Sequence, residues 1–425
     1  MLLEKNILII VYEFPPEIGG GSVMRTVKLI KYLPDSGWRP IVLTVDRKDT
    51  WMPDLELINE ISGTEIYRCK DMICKYNTSN TRDINHNIQY LNCNFRFLTF
   101  IKSKLKKILK RHLIPDKRVG WLFPAIITGK KIINDEKINL IYATAPPHTP
   151  LLVGYILSIL TGKKLIVDYR DAWIGNKLFT SKYWFNNFVN KWIEVLILRR
   201  AKLIITTTKQ IENELCDKTR QPVITIPNGY DPEDFAGLTP LLPDSGKVNL
   251  IYLGGFSGVR TSRFFVKALT LLQKQFKEII AIHIVGQNSP EETTLLQSIN
   301  DIEIHLYGHF PHKEALRYLV SADILILFIF KEEDSKSAIP GKIYEYLAAQ
   351  KPIIAFCDSN SALASLLYNL GIKHIVTPDN VDEITDVLST VVFNHHDLKT
   401  DYSCSLFDRK KNTYRLSSYF NALRM

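Results

Sequence analysis

Along most of this chain, short apolar runs alternate with longer segments whose apolar residues recur every three or four positions. The runs Ile7–Tyr12, Pro40–Val45, Leu140–Ala143, Lys164–Asp168 and Lys202–Thr206 have strand length and are apolar at consecutive positions. That is the mark of strands buried on both faces of a parallel sheet. Between them, Ser22–Leu33 carries Val23, Val27, Ile30 and Leu33 at helical spacing, and Trp184–Leu198 is a second apolar-rich helix. The alternation pauses at Ala236–Lys247, rich in Pro, Gly and small residues, and we read a linker there. It restarts with Asn249–Gly254, Ala281–Val285, Ile302–Leu306, Ile324–Phe328 and Ile353–Phe356. The pattern predicts an α/β fold of two doubly wound, Rossmann-like domains facing a cleft, residues 1–236 and 247–407, with a helical tail at 408–425. The stretch from Asp49 to Asn94 departs from it, being polar and irregular with one predicted strand at Thr64–Arg68. With the segment that follows, to about residue 118, it reads as an insertion.

Composition narrows the class. The 425 residues are 46% hydrophobic and 23% charged, the profile of a folded chain with a large core. The six cysteines form no C-x-x-C pair and no Cys/His cluster with zinc spacing, so reduced thiols and a cytoplasmic location are expected. The N-terminal apolar run lacks a cleavage site and meets Pro15-Pro16, so it reads as a first strand rather than a signal peptide. Leu151–Leu160 is too short to span a bilayer. The net charge of +10 is concentrated at 101–118, with eight basic residues against the single acid Asp116. Ile101, Leu105, Ile108, Leu109 and Leu113 fall at helical spacing there, so this is a basic amphipathic helix. It suits an anionic membrane surface, here the inner face of the plasma membrane, or else a helix docked on the core with a solvated basic face. No motif for nucleic acid accompanies the charge.

Candidate chemistry lies in the loops after the strands, where open α/β sheets bind ligands. Pro15 to Gly21 ends in three glycines, Gly19, Gly20 and Gly21, which allow close approach of backbone N–H groups to an anion, or make a plain flexible turn. His148 follows one predicted strand, and Asp168, Arg170 and Asp171 end the next. Those charges either lock the loop as an ion pair or line the cleft. In the second half, Gly254-Gly255 leads to Arg260 and Arg263 at a loop–helix junction, where a pyrophosphate would meet both cation and helix dipole. Lys342 opens another helix and Glu345 lies one turn on. They suit a phosphate and sugar hydroxyls, or form an ordinary surface salt bridge. Glu332-Glu333-Asp334 reads as surface acids, and no metal site is expected.

The segment from Lys342 to Ala355, Lys-Ile-Tyr-Glu-Tyr-Leu-Ala-Ala-Gln-Lys-Pro-Ile-Ile-Ala, resembles the donor-site segment of retaining, family-4-like glycosyltransferases of the GT-B fold. Glu13–Gly21 resembles their first loop. Ala-Pro-Pro-His-Thr at 145–149 and Val-Asp-Tyr-Arg-Asp-Ala-Trp at 167–173 resemble a subgroup from bacterial surface-polysaccharide pathways. The resemblance implies sugar transfer from a nucleotide-diphosphate donor to a hydroxyl of a glycan or lipid-linked acceptor, with no cofactor and no metal. It implies that Glu345 holds the donor ribose, that Arg260 and Lys342 hold the diphosphate, and that the loop bearing His309 reads the base through its backbone. Gly20, Gly21 and Gly255 would approach the donor, with His148, Arg170 and Asp171 as catalytic candidates. A tail such as 408–425 crosses back to the first domain in that fold. The family often has a further Glu where Ser337 stands here. Two other readings remain: a non-catalytic scaffold of a membrane polysaccharide-assembly complex, and a nucleotide-sugar epimerase.

Overall fold

The computed structural model describes residues 5–16, 21–46, 55–73, 88–90, 113–176, 179–243, 245–329, 339–398 and 400–424. Gly20, Ser337, Glu332–Asp334 and the basic stretch 101–112 lie outside them. The chain divides into two compact units, Met1–Asn228 with Arg409–Met425, and Gly229–Asp408.

The first unit is built on a parallel sheet of eight strands in the order β4-β3-β2-β1-β5-β6-β7-β8. These are β1 (Lys5–Ile10), β2 (Trp38–Val45), β3 (Glu65–Cys69), β4 (Ile88–Tyr90), β5 (Leu140–Ala145), β6 (Lys164–Tyr169), β7 (Leu203–Thr206) and β8 (Val223–Thr225). The central strand explains its own sequence. Leu8 and Ile10 enter a core with Leu151, Leu157 and Ile197, while Ile7 and Ile9 enter the opposite core with Val27, Ile30 and Phe420. Both faces are covered, so Ile7 to Ile10 are all apolar. Helices α1 (Gly21–Tyr32) and α2 (Leu55–Glu60) are followed by α3 (Leu122–Asp135), α4 (Thr149–Thr161), α5 (Trp184–Arg200) and α6 (Lys209–Cys216). Helix α6 begins at Thr208, whose hydroxyl accepts the Ile211 amide at 3.3 Å.

The second unit has six parallel strands in the order β11-β10-β9-β12-β13-β14, which is the doubly wound arrangement 3-2-1-4-5-6. They are β9 (Val248–Leu253), β10 (Ile280–Val285), β11 (Glu303–Tyr307), β12 (Ile324–Phe328), β13 (Ile353–Phe356) and β14 (Ile375–Val376). Its helices are α7 (Pro232–Phe235), α8 (Arg263–Phe276), α9 (Pro290–Gln297), α10 (His312–Val320), α11 (Lys342–Ala348), α12 (Ala362–Asn369) and α13 (Val381–Asn394). The last helix, α14 (Arg409–Arg424), belongs to the first unit.

The division falls at Asn228/Gly229, ahead of the Pro- and Gly-rich stretch read as a linker. That stretch is held by the second unit: Leu238, Leu241 and Leu242 pack against its core. The Leu241 and Leu242 amides donate to Ser321 Oγ at 2.7 and 3.2 Å. Composition marks an irregular backbone, and side-chain packing decides which unit owns it.

Candidate functional site

In the second unit, β9 and β12 are adjacent and their following connections run to opposite sides, which makes the carboxyl end of this pair the switch point of the sheet. Their ladder registers only at Ile324–Leu250 and Leu325–Ile251. Beyond it the Tyr346 hydroxyl fills the gap, accepting the Leu253 amide at 2.9 Å and donating to the Ile326 carbonyl at 3.0 Å. Helix α11 is thereby pinned across the opening, and its first residue, Lys342, is delivered to it. The Lys342 ammonium donates to Leu253 O at 3.1 Å and lies 4.4 Å from the centre of the Tyr252 ring. The backbone there leaves no room for side chains. Gly254 has φ +151, and a Cβ on it would lie 3.0 Å from Lys342 Nζ; one on Gly255 would lie 1.8 Å from Gln287 O.

The electrostatics of this seat are unusual. Burial, with the Arg260 charge adding to it, pushes the Lys342 ammonium down to about 7 from 10.5, against a smaller opposing pull from Glu345. Arg260 is exposed on a turn closed by its own amide to Ser257 O at 3.0 Å. The surface-pair alternative for Lys342 and Glu345 is not what forms, since Glu345 Oε1 meets His312 Nε2 at 2.8 Å. Among the described residues neither Lys342 nor Arg260 has an ion-pair partner. Two cations thus converge on one strand end, and one of them carries a strongly destabilised charge. His309 is exposed in the loop after β11, two residues from the Pro311 that precedes α10.

In the first unit the candidates after β5 and β6 separate into two groups. Asp168 is buried and paired with Arg25 of α1, through Nε and Nη2, both at 3.0 Å. Tyr142 and Thr144 hydroxyls also donate to it, at 2.7 and 3.1 Å. Arg25 in turn donates to Ile226 O and Pro227 O at 3.0 and 3.1 Å. This closed network is scaffolding, and Arg170 takes no part in it by hydrogen bonding. Arg170 Nε instead donates to Ala145 O at 3.0 Å and Nη2 to Pro146 O. Its Nη1 is buried with no hydrogen-bond partner among the described residues, as is His148 Nε2. Burial and the Arg170 charge push the His148 imidazole down to about 3, so it is neutral. It stacks on Trp173 with ring centres 4.3 Å apart. Burial raises the Asp171 carboxyl, with Arg170 pulling the other way. Gly21 opens α1, the helix that carries Arg25.

Several residues that shape these sites gave no signal in the chain. Asp116, the lone acid of the basic stretch, accepts the His148 and Thr149 amides at 2.6 and 2.9 Å and the Thr149 hydroxyl at 2.8 Å, holding the start of α4. His312 meets Glu345, and Tyr346 meets Leu253 and Ile326, all distant in sequence. Tyr252 reads simply as part of an apolar strand.

Comparison with known proteins agrees with this layout. Residues 19–234, just over half of the chain, match the family model described as Glycosyltransferase Family 4. Residues 247–394 match the one described as Glycosyl transferases group 1. No curated protein matches by sequence. Among solved structures, a sucrose-phosphate synthase from Thermosynechococcus elongatus superposes with a TM-score of 0.62 at 15% identity, covering 99% of each chain. HepE from Anabaena, solved with UDP and glucose, gives 0.59 at 15% identity, over 98% of this chain and 100% of its own. A putative UDP-N-acetylglucosamine 2-epimerase from Listeria monocytogenes gives 0.61 at 10%, over 99% and 97%. Identities this low speak for the fold alone, whereas the family model spans most of the first unit and a related one most of the second. The chain belongs to the family-4 glycosyltransferases and carries their GT-B fold.

Proposed function

We propose that this glycosyltransferase moves a sugar, with retention of anomeric configuration, from a nucleotide-diphosphate donor to a hydroxyl of a membrane-associated glycan or lipid-linked acceptor in polysaccharide biosynthesis. The observation that carries this reading is the pair of cations, Lys342 and Arg260, at the switch point of the second unit, neither with an ion-pair partner among the described residues. A diphosphate leaving group gains negative charge as the glycosidic bond breaks, and preformed cations stabilise that charge more than they stabilise the donor. Glycines 254 and 255 let the end of β9 pack directly against Lys342 and Gln287, which holds the lysine at this strand end. Glu345, oriented by His312, is suited to accept hydrogen bonds from ribose hydroxyls.

In the first unit we assign His148, Arg170 and Asp171 to the acceptor. The unpartnered His148 Nε2 and Arg170 Nη1 support this, because buried polar atoms without partners are uncommon and costly. A neutral imidazole can accept the hydrogen bond of a hydroxyl that is about to lose its proton. With charge stabilised by side chains alone, the reading includes no resident metal or cofactor. The neighbour solved with UDP and glucose supports a uridine nucleotide.

Saturation-transfer NMR against a panel of UDP- and GDP-sugars tests the donor seat. One donor should bind to the wild type and fail to bind to Arg260→Ala and Glu345→Ala. No binding by folded protein across the panel would overturn the seat. Transfer with that donor and a lipid-linked acceptor should give product of unchanged anomeric configuration. An epimerised nucleotide sugar formed without acceptor would favour the epimerase reading that the Listeria neighbour raises.

A further inference from the structure

Helix α5 (Trp184–Arg200) is amphipathic in the inverted sense. At 100° per residue, Trp184, Phe185, Phe188, Lys191, Trp192, Val195 and Arg199 fall within a stripe about 120° wide and roughly 22 Å long. That stripe faces outward: Trp184 is 76% exposed, Phe185 50%, Phe188 64% and Trp192 61%. The opposite side turns polar groups inward at a spacing of four. Asn186, Asn190 and Glu194 are all buried. Asn190 Nδ2 donates to Pro115 O at 3.3 Å, and Glu194 is paired with Lys218 at 3.0 Å. A helix meant to face water on its outer side would have the reverse pattern.

We propose that this stripe is a docking surface for an anionic lipid bilayer. Three features of the face select that partner. First, its apolar groups are mostly aromatic, and Trp in particular settles at the headgroup level of a membrane, where an apolar body and a polar N–H are both accommodated. Second, its charges are all positive. Lys182, Lys191 and Arg199 lie on or beside it, and no acidic residue occurs from Ala172 to Ile193. Third, the patch continues beyond the helix. Arg200 donates to Ser158 Oγ and Ser158 O at 3.0 and 2.6 Å, which brings the exposed Ile159 and Leu160 of α4, with Lys163 and Lys164 after them, to its end. A basic aromatic plane of this kind complements an anionic headgroup layer over an apolar interior.

This surface deepens the proposed use of a membrane-associated acceptor, yet vesicle binding needs no nucleotide sugar. Failure of either idea therefore leaves the other standing. The test is co-sedimentation of the full chain with vesicles of phosphatidylglycerol and phosphatidylcholine, and with phosphatidylcholine alone. Wild type should bind the anionic vesicles. The triple variant Trp184→Ser, Phe188→Ser, Trp192→Ser should bind about tenfold or more weakly, and Lys191→Glu with Arg199→Glu should lose the preference for anionic lipid. A second measurement covers the case in which the triple variant does not fold. Brominated lipid should quench wild-type tryptophan fluorescence, and the conservative pair Trp184→Phe, Trp192→Phe should remove most of that quenching. Equal binding or equal quenching by variant and wild type would overturn the proposal. So would a wild-type dimer in sedimentation velocity that ignores vesicles and becomes monomeric in the triple variant, because a second copy would then cover the face.

Discussion

The Lys342 ammonium gives the sharpest expectation, because its proton affinity and its ligand should be linked. Its displacement from 10.5 to about 7 corresponds to a charge disfavoured by on the order of 5 kcal/mol. An incoming diphosphate reverses the balance and restores the proton. Donor affinity should then be nearly flat below pH 7 and weaken above it, as more of the free protein must first take up a proton. Between pH 6.5 and 8.5 the protonated fraction falls from about three-quarters to about 3%, a loss of about 25-fold in affinity or about 1.9 kcal/mol. Folding stability without ligand should move in the opposite direction. The unfolded lysine keeps its proton up to about 10.5 while the folded one releases it near 7. The penalty is therefore full below pH 7, and stability rises from there toward 10.5. Calorimetry with the nucleotide sugar selected by NMR, run in two buffers of different ionisation enthalpy, would measure both the affinity slope and the proton taken up. Lys342→Met should bind weakly at every pH with no uptake. A flat affinity in wild type, or the same slope in Lys342→Met, would refute the argument.

Glu345→Ala should reduce sugar transfer by about 100-fold or more while leaving the unfolding midpoint within about 1 kcal/mol of wild type; wild-type turnover would remove Glu345 from the donor site. His148→Phe should be more stable than wild type in acid and less active. The folded imidazole at about 3 and the unfolded one at 6.5 mean that wild-type stability falls as pH drops below 6.5, by up to ~1.4 kcal/mol per pH unit from this group. Urea titrations at pH 7.5 and 5 should show the variant's advantage only at the lower pH. Undiminished transfer by the variant would make His148 a packing residue. Arg25→Met strands the Asp168 carboxylate and should cost about 3–5 kcal/mol by denaturant unfolding; an unchanged midpoint would mean the network carries no stability.

Two consecutive-apolar series, one in each half, were enough to predict two parallel sheets, because a strand covered on both faces cannot hide its composition. Ile324–Phe328 and Ile353–Phe356 have the bounds the pattern gives. Ownership of Ala236–Lys247 was not legible, since it depends on where three leucines and one serine find partners. The sites show the same split. Lys342, Glu345 and Arg260 stand out by residue type and by place at loop–helix junctions. That Glu345 takes His312 instead of Lys342 depends on the separation of two helices, to which local sequence is blind. Asp168 and Arg170 looked like a pair because they are neighbours in sequence. Arg170, however, lies just past the end of β6 and turns to the Ala145 and Pro146 carbonyls, and the partner of Asp168 came from α1, more than a hundred residues earlier.

The return of α14 to the first unit also sets a timetable for biosynthesis. Phe420 lies in the core of that unit against Trp38 and Tyr142, and Asn421 Oδ1 takes hydrogen bonds from Lys5 and Trp38 at 3.0 and 3.2 Å. The second unit closes on itself sooner: the Tyr230 amide donates to Phe407 O at 2.9 Å, tying its two ends together. A ribosome adding ~5–20 residues per second therefore delivers the final helix roughly 10–40 s after Asn228, with the other unit made in between. During that interval Trp38 and Tyr142 share their core with α1 but lack Leu416 and Phe420 of α14, which complete it. Nascent chains of this protein should for that reason engage chaperones through the first half of the sequence until α14 has emerged.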